Sequence, residues 1–97
     1  MPDEGSGAVT IRLPRALLQY WSGPSTVEVE RGTLAQAFEG LERRAPGLAT
    51  RLVDEQGQIR RHVAVFVNDT MVDGRDPAAV TLRAGDRVFI APAVSGG

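Results

Sequence analysis

The chain has 97 residues, enough for one domain with short tails, because one core usually serves roughly 100 to 150 residues. Its 11 arginines face 12 acidic residues, and the net charge of −1 leaves no basic excess for binding nucleic acid. The sequence has no lysine, no cysteine and a single histidine, which excludes a Schiff base, a disulfide, thiolate chemistry and a cysteine-ligated zinc, and leaves other metal sites short of ligands.

The first predicted elements are two strands joined as a hairpin. Residues 9–13 alternate between apolar and polar side chains, a period of two that is typical of a half-buried strand. Residues 23–25 are Gly-Pro-Ser, which favours a turn, and residues 26–30 then alternate in the same way. We interpret Tyr20 and Trp21, within the connection, as side chains that cover one end of the core.

An amphipathic helix is predicted after the hairpin. Thr33 precedes Gln36 by three residues, which is the spacing of a capping box. Apolar residues then recur at helical spacing, namely Leu34, Ala37, Phe38, Leu41 and Ala45. Gly40 costs about 1 kcal/mol relative to alanine inside a helix, and burial of the neighbouring apolar side chains offsets this cost. Pro46-Gly47 is predicted to end the helix.

The C-terminal half contains a connector and three further strands. Residues 48–61 have a mixed pattern, which we interpret as a connector with one short helical turn near its start. Residues 62–68 form the strongest strand, with apolar side chains on both faces. After a minor strand, the turn at residues 84–86 precedes the last strand, residues 87–91.

This order of elements predicts an α+β domain with the β-grasp, or ubiquitin-like, arrangement. One main helix packs across one face of a small mixed sheet, and the first and last strands lie side by side at its centre. We divide the chain into a flexible N-terminal tail at residues 1–7, the β-grasp domain at residues 8–92, and a flexible C-terminal tail at residues 93–97.

No membrane or export segment is predicted. The longest apolar run, residues 88–94, is interrupted by Pro92 and is far shorter than the roughly 20 residues that a span requires. Asp3 and Glu4 lie where a signal peptide has basic residues. The sequence therefore predicts a cytoplasmic protein.

Catalytic residues are not evident in this sequence. The glycines lack the spacing of a phosphate-binding loop. His62 is the only imidazole, and its place at the start of a strand favours ordinary hydrogen bonding over catalysis. Asp69, Asp73, Asp76 and Asp86 lie in turns, where aspartate typically accepts hydrogen bonds from the backbone. We therefore expect a protein that is not an enzyme and binds neither a cofactor nor a metal.

The last seven residues differ in kind from the rest of the chain. Residues 91–97 carry no charged side chain and end in two glycines, which allow the backbone to approach another protein's active site closely. The carboxylate of Gly97 is a poor electrophile unless it is activated, for instance by adenylation. This segment predicts a carrier in which Ser95, Gly96 and Gly97 thread a narrow channel of a partner that supplies the chemistry.

Two aromatic residues are predicted on the sheet face opposite the helix. Phe66 and Phe89 alternate with core residues, and a monomer gains nothing by exposing two aromatic rings to water. A partner-docking patch is the favoured interpretation, and a cover of loops is the alternative. The predicted partner-binding residues are Phe66, Phe89, Ala91, Pro92 and Val94.

Three stretches of sequence, within residues 9–97, connect the chain to a known family. They are Val65-Phe66-Val67-Asn68-Asp69 with Val72, Leu82-Arg83-Ala84-Gly85-Asp86-Arg87-Val88, and Ala91-Pro92-Ala93-Val94-Ser95-Gly96-Gly97. Together they resemble the ubiquitin-like sulfur carriers of the MoaD/ThiS family. The connector and Arg61-His62-Val63 are most similar to the CysO-type carriers of cysteine biosynthesis. Molybdopterin-synthase small subunits usually have an aromatic residue in place of Ala91 and Pro-Pro in place of Pro92-Ala93.

The resemblance implies a cycle in which an E1-like enzyme uses ATP to adenylate the carboxylate of Gly97. A sulfur donor then converts the adenylate to a thiocarboxylate. In cysteine-type carriers the sulfur attacks an aminoacrylate on the pyridoxal phosphate of a cysteine synthase, and an acyl shift and a zinc peptidase release cysteine. With a molybdopterin synthase large subunit the sulfur goes to a pterin precursor. A ubiquitin-like modifier of other proteins' lysines and an interaction module with an inert tail are the remaining alternatives.

Overall fold

The structure, a computed structural model, describes residues 8 to 93 of the chain. The predicted N-terminal tail therefore lies outside the described residues, as do Val94, Ser95, Gly96 and Gly97. Of the predicted C-terminal tail only Ala93 is described, and its N–H donates to the carbonyl oxygen of His62 at 2.9 Å.

The described residues form short strands, two α-helices and two 3₁₀ turns. The strands are β1 (Ala8–Arg12), β2 (Thr26–Glu30), β3 (Gly32–Thr33), β4 (Val63–Val67), β5 (Thr70–Met71), β6 (Thr81–Leu82) and β7 (Arg87–Pro92). The helices are α1 (Arg15–Leu18) and α2 (Leu34–Arg44), and the 3₁₀ turns cover Ala49–Arg51 and Pro77–Ala79.

Five strands form a mixed sheet in the order β2-β1-β7-β4-β5, and β3 pairs with β6 in a separate ladder. The predicted central pair is confirmed, because β1 and β7 run parallel with Ile11 opposite Val88. A parallel pair needs a crossover connection, which the chain provides by way of α2. The predicted α+β, β-grasp arrangement is therefore confirmed.

The core lies between this sheet and α2. Ile11, Val65, Val88 and Ile90 are each at most 2% exposed, and all belong to the three central strands. The helix contributes Leu34, Ala37, Phe38 and Leu41 to the same cluster. The alternating pattern thus assigns the core-facing side of each central strand correctly.

Helix α2 begins with the predicted capping box. The Gln36 N–H donates to the Thr33 hydroxyl at 3.1 Å, and the Thr33 N–H donates to the Gln36 side-chain oxygen at 2.9 Å. Packing explains why a glycine is present at position 40 in spite of its low helix propensity, since a Cβ there would lie only 3.3 Å from the side chain of Val29. The glycine lets the helix approach β2 closely.

The chain leaves α2 through a turn that Glu42 stabilises. Its carboxylate accepts hydrogen bonds from the N–H groups of Gly47 and Ala49, at 2.9 and 3.2 Å. Gly47 has a φ of 97°, a left-handed conformation that favours glycine, so the predicted end of the helix has a backbone cause. The 3₁₀ turn Ala49–Arg51 confirms the predicted helical turn at the start of the connector.

The rest of the connector is ordered by a second carboxylate. Asp54 accepts hydrogen bonds from the N–H groups of Gln56 and Gln58, at 2.9 and 3.0 Å, and the bond from Gln58 is the main cause that lowers the pKa of Asp54. Val53 forms a β-bridge with Ile59, whose side chain is buried in the core. The connector is therefore a packed part of the domain.

The connection between β1 and β2 differs from the predicted simple hairpin. It contains α1, a single helical turn that the alternating pattern did not indicate. The interpretation of Trp21 is confirmed, since its indole packs against the core and donates to the carbonyl of Pro24 at 2.8 Å. The same interpretation is wrong for Tyr20, which is 47% exposed and stacks with the Arg51 guanidinium, 3.4 Å from its ring centre, instead of packing against the core.

Candidate functional site

Strand β7 presents one row of side chains to the core and the other to the open side of the sheet. Val88 and Ile90 are each 1% exposed beneath α2, whereas Phe89, between them, is 40% exposed. Ala91 is half-buried and Pro92 is exposed. The predicted division of this strand into a core row and an outer row is confirmed.

The two predicted aromatic residues lie together on the outer side. Phe66 of β4 is the register partner of Phe89, with ring centres 6.2 Å apart and ring planes tilted by 44°. Phe89 is exposed and Phe66 is half-buried, so the described loops leave much of this pair open to solvent. The Arg12 guanidinium lies 5.8 Å from the centre of the Phe89 ring, within cation–π range.

A shallow cavity of about 490 Å³ surrounds these rings. Its lining includes Thr10, Arg12, Phe66, Arg87 and Phe89, and we call these five residues the open face. An apolar centre with a polar rim is the usual composition of a protein-docking surface. Sequence reasoning did not assign Arg12 to the face, because its position opposite Phe89 depends on the parallel register of β1 and β7.

The rim beside β7 is held by Asn68. Its side-chain oxygen accepts a hydrogen bond from the Arg87 N–H at 3.0 Å, and its amide donates to Asp86 at 3.2 Å. Asp86 also accepts from the Arg83 N–H at 2.8 Å, which confirms its predicted role in the turn. Asn68 has a φ of 55°, a conformation that asparagine tolerates better than most residues.

The root of the tail lies at the end of β7. Ala91 pairs with Ala64 and Pro92 with Val63, and the hydrogen bond from Ala93 to His62 follows directly. The chain is therefore held against β4 up to the last residue that the structure describes. The predicted covalent site and threading residues lie beyond this point, outside the described residues.

Among the described residues there is neither a metal-binding cluster nor a membrane-spanning helix. Between residues 8 and 93 no three histidine or acidic side chains group closely enough to hold a metal ion. His62 is exposed in the turn before β4. Neither α-helix of the described chain has the length and apolar character needed to cross a membrane.

Comparisons with known proteins agree with this geometry. The model of the ThiS family matches residues 18–97. The sulfur carrier protein CysO of Mycobacterium tuberculosis is 34% identical over 91 residues, which cover 92% of this chain and 98% of that protein. The crystal structure of M. tuberculosis CysO has a TM-score of 0.79 at 33% identity, and the match covers 89% of this chain and 99% of that chain.

Two further similarities concern a complex and a modifier. One chain in the crystal structure of the Amycolatopsis orientalis BexX/CysO complex has a TM-score of 0.77 at 33% identity, covering 92% of this chain and 99% of that chain. Small archaeal modifier protein 3 of Haloferax volcanii is 38% identical over 65 residues, 67% of this chain and 70% of that protein.

Proposed function

The chain belongs to the ThiS family of ubiquitin-like sulfur carriers and resembles its CysO type, and from this premise we propose that it carries sulfur as a thiocarboxylate on Gly97. The observation that carries the proposal is the position of β7, which leads into the Gly-Gly tail from between β1 and β4. Because β7 is bonded on both sides, a partner that grips the domain also positions the tail.

The proposed chemistry takes place on the carboxylate of Gly97. An E1-like enzyme joins this carboxylate to the α-phosphate of ATP and releases pyrophosphate. A sulfur donor then displaces AMP, and one terminal oxygen is replaced by sulfur. The resulting thiocarboxylate is ionised at neutral pH and presents a soft, nucleophilic sulfur. This chain contributes a charge-free segment that fits a narrow site, and the activating enzyme binds the nucleotide.

We propose that the open face is where the partner enzymes dock. Phe89 offers a partly exposed aromatic anchor beside Phe66, and aromatic residues carry a large share of binding energy in protein interfaces. Ala91 lies two residues beyond Phe89 in the outer row of β7, and Pro92 and Val94 are proposed to extend the docking surface towards the tail. The BexX/CysO complex of a related chain supports partner binding in general.

The sulfur acceptor that we propose is a cysteine synthase, with a zinc peptidase acting afterwards. Support comes from the similarity to CysO over 92% of the chain and from the small side chain of Ala91 beside the tail. A partner shaped around an aromatic residue at that position would lose a contact worth about 1 to 3 kcal/mol. The alternative acceptor is a molybdopterin synthase large subunit.

A second candidate function is conjugation to the lysines of other proteins. The similarity to small archaeal modifier protein 3 favours it. The absence of lysine from this chain does not decide the matter, because the acceptor of a modifier lies on another protein.

Formation of the thiocarboxylate is the first expected result. Incubation of the full-length protein with the E1-like enzyme of its host, ATP and a sulfide source should raise its intact mass by the replacement of one oxygen with sulfur. Fragmentation should place the sulfur on Gly97. Omission of ATP is the control, and an unchanged mass with an enzyme shown to be active contradicts the proposal.

Transfer to the acceptor is the second expected result. Thiocarboxylated protein is mixed with a cysteine synthase and its activated serine substrate, or with a molybdopterin synthase large subunit and its precursor, all from the same host. We expect product from the first mixture alone. Product from the second mixture alone would reverse the preference, and product from both would indicate one carrier shared between two pathways.

A further inference from the structure

Two adjoining cavities lie beside the root of the tail and share cationic side chains. The first, of about 220 Å³, is lined by Arg51 and His62 together with Ala91 and Pro92. The second, of about 420 Å³, is lined by Thr50, Arg51, Arg60 and His62. We call Arg51, Arg60 and His62 the arginine corner. It forms one continuous surface that ends at Pro92, the last residue of β7.

Both arginines of the corner are held by neutral groups. The Arg51 guanidinium stacks on the ring of Tyr20, 3.4 Å from its centre, and the Arg60 Nε–H donates to the carbonyl of Thr50 at 2.9 Å. A phenol ring and a carbonyl orient a guanidinium without neutralising it. Each guanidinium therefore keeps further N–H groups in a planar fork, which matches the two oxygens of a carboxylate.

The acidic side chains of this region face elsewhere. Among the described residues, no aspartate or glutamate lines either cavity of the corner. Glu39, Glu42, Asp54 and Glu55 line a different cavity, between α2 and the connector, which Arg60 also borders. Arg60 lies close enough to Asp54 to help lower its pKa, so Arg51 is the less compensated of the two cations.

We propose that the arginine corner binds carboxylate side chains on the surface of the activating enzyme, around the opening through which the tail enters. This inference rests on the proposed function, because an enzyme that takes the tail into its active site must contact the surface around Pro92. A partner in that position contacts the cavity that Pro92 shares with Arg51 and His62. Charge complementarity at the rim of an interface chiefly speeds association and fixes the orientation of the partners.

The test compares two pairs of arginine substitutions that remove the same charge. Arg51→Gln/Arg60→Gln removes the cations of the corner, and Arg43→Gln/Arg44→Gln removes two exposed cations from the last turn of α2. The measurement is ATP–pyrophosphate exchange by the purified E1-like enzyme of the same host, with the full-length carrier as the varied substrate. The midpoint of thermal unfolding is measured for every variant.

The corner variant should raise the KM for the carrier by roughly tenfold at low salt, with kcat unchanged, because steering by opposite charges raises association rates by about tenfold or more. The difference should shrink as the salt concentration rises towards 1 M, where the Debye length falls to about 3 Å. The control pair should keep the wild-type KM. Arg51→Glu, which leaves the Arg60 hydrogen bond intact, should raise the KM even if the double variant unfolds.

Three results overturn the inference. Equal KM values for both pairs, with Arg51→Glu also unchanged, would show that the corner does not contact the enzyme. Chemical-shift changes at Arg51, Arg60 and His62 on addition of inorganic phosphate or ATP alone, with no KM change in the variants, would identify a phosphate site instead. Failure of the wild-type chain to support exchange by an active enzyme would remove the proposed function itself, and this inference with it.

Discussion

Deletion of Gly97 abolishes thiocarboxylate formation while the thermal unfolding of the domain stays the same. The shortened chain ends in the carboxylate of Gly96, which reaches about 3.5 Å less far from the domain. A misplacement of only about 1 Å can cost a hundredfold in rate, so the loss of a whole residue should stop adenylation. Unfolding should not change, because glycine has no side chain whose burial could stabilise the domain.

Intact mass after incubation with the E1-like enzyme, ATP and sulfide measures the loading, and circular dichroism measures the unfolding midpoint. The wild-type chain in the same reaction is the comparison. Loading of the shortened chain at the wild-type rate would show that Gly97 is not the covalent site. A clear loss of cooperative unfolding would show that the tail is part of the folded domain.

Val88→Asp unfolds the domain, whereas Phe89→Asp leaves it folded and weakens partner binding. Val88 is 1% exposed in the central strand, opposite Ile11 on one side and Val67 on the other. An unpaired carboxylate there costs several kcal/mol in addition to the lost apolar burial, which is comparable with the total stability of about 5 to 15 kcal/mol of a typical domain.

Phe89 is the matched control for Val88, because it is the next residue on the same strand and lies on the other side of the sheet. At 40% exposure its substitution removes less buried area, so the unfolding midpoint should fall far less. The affinity for the activating enzyme should fall by roughly thirtyfold, the effect of losing a contact worth about 2 kcal/mol. Equal destabilisation by both substitutions would show that the two sides of the sheet are wrongly assigned.

Local patterns predicted those parts of the fold whose causes lie within a few residues. The alternation of residues 9–13 and 26–30 predicted two strands, and the spacing of Thr33 and Gln36 predicted the capping box at the start of α2. Each of these features depends on the period of the backbone or on a hydrogen bond over three residues. The two residues of such a contact lie a fixed number of positions apart in the sequence, so the contact can be predicted without the tertiary structure.

Residues of the candidate site could be predicted where the alternation within a single strand places them. They were missed where their position depends on the register between two strands. Phe89 could be assigned to the outer side of the sheet from the alternation within β7 alone. Arg12 could not be assigned to the same surface, because its place beside Phe89 depends on the register between β1 and β7. That register joins positions far apart in the chain.

The sequence by itself determined the periods, the helix cap, the turns at glycine and the chemical character of the tail. Only the tertiary structure decided that Arg51 stacks on Tyr20 and that Arg51 and His62 share a cavity with Pro92. These residues belong to the connector, the turn before β4, the β1–β2 connection and the end of β7, which are far apart in the sequence. Their contact follows from the packing of α2 and the connector against the sheet. Burial of apolar surface stabilises this packing whatever the separation of the residues along the chain.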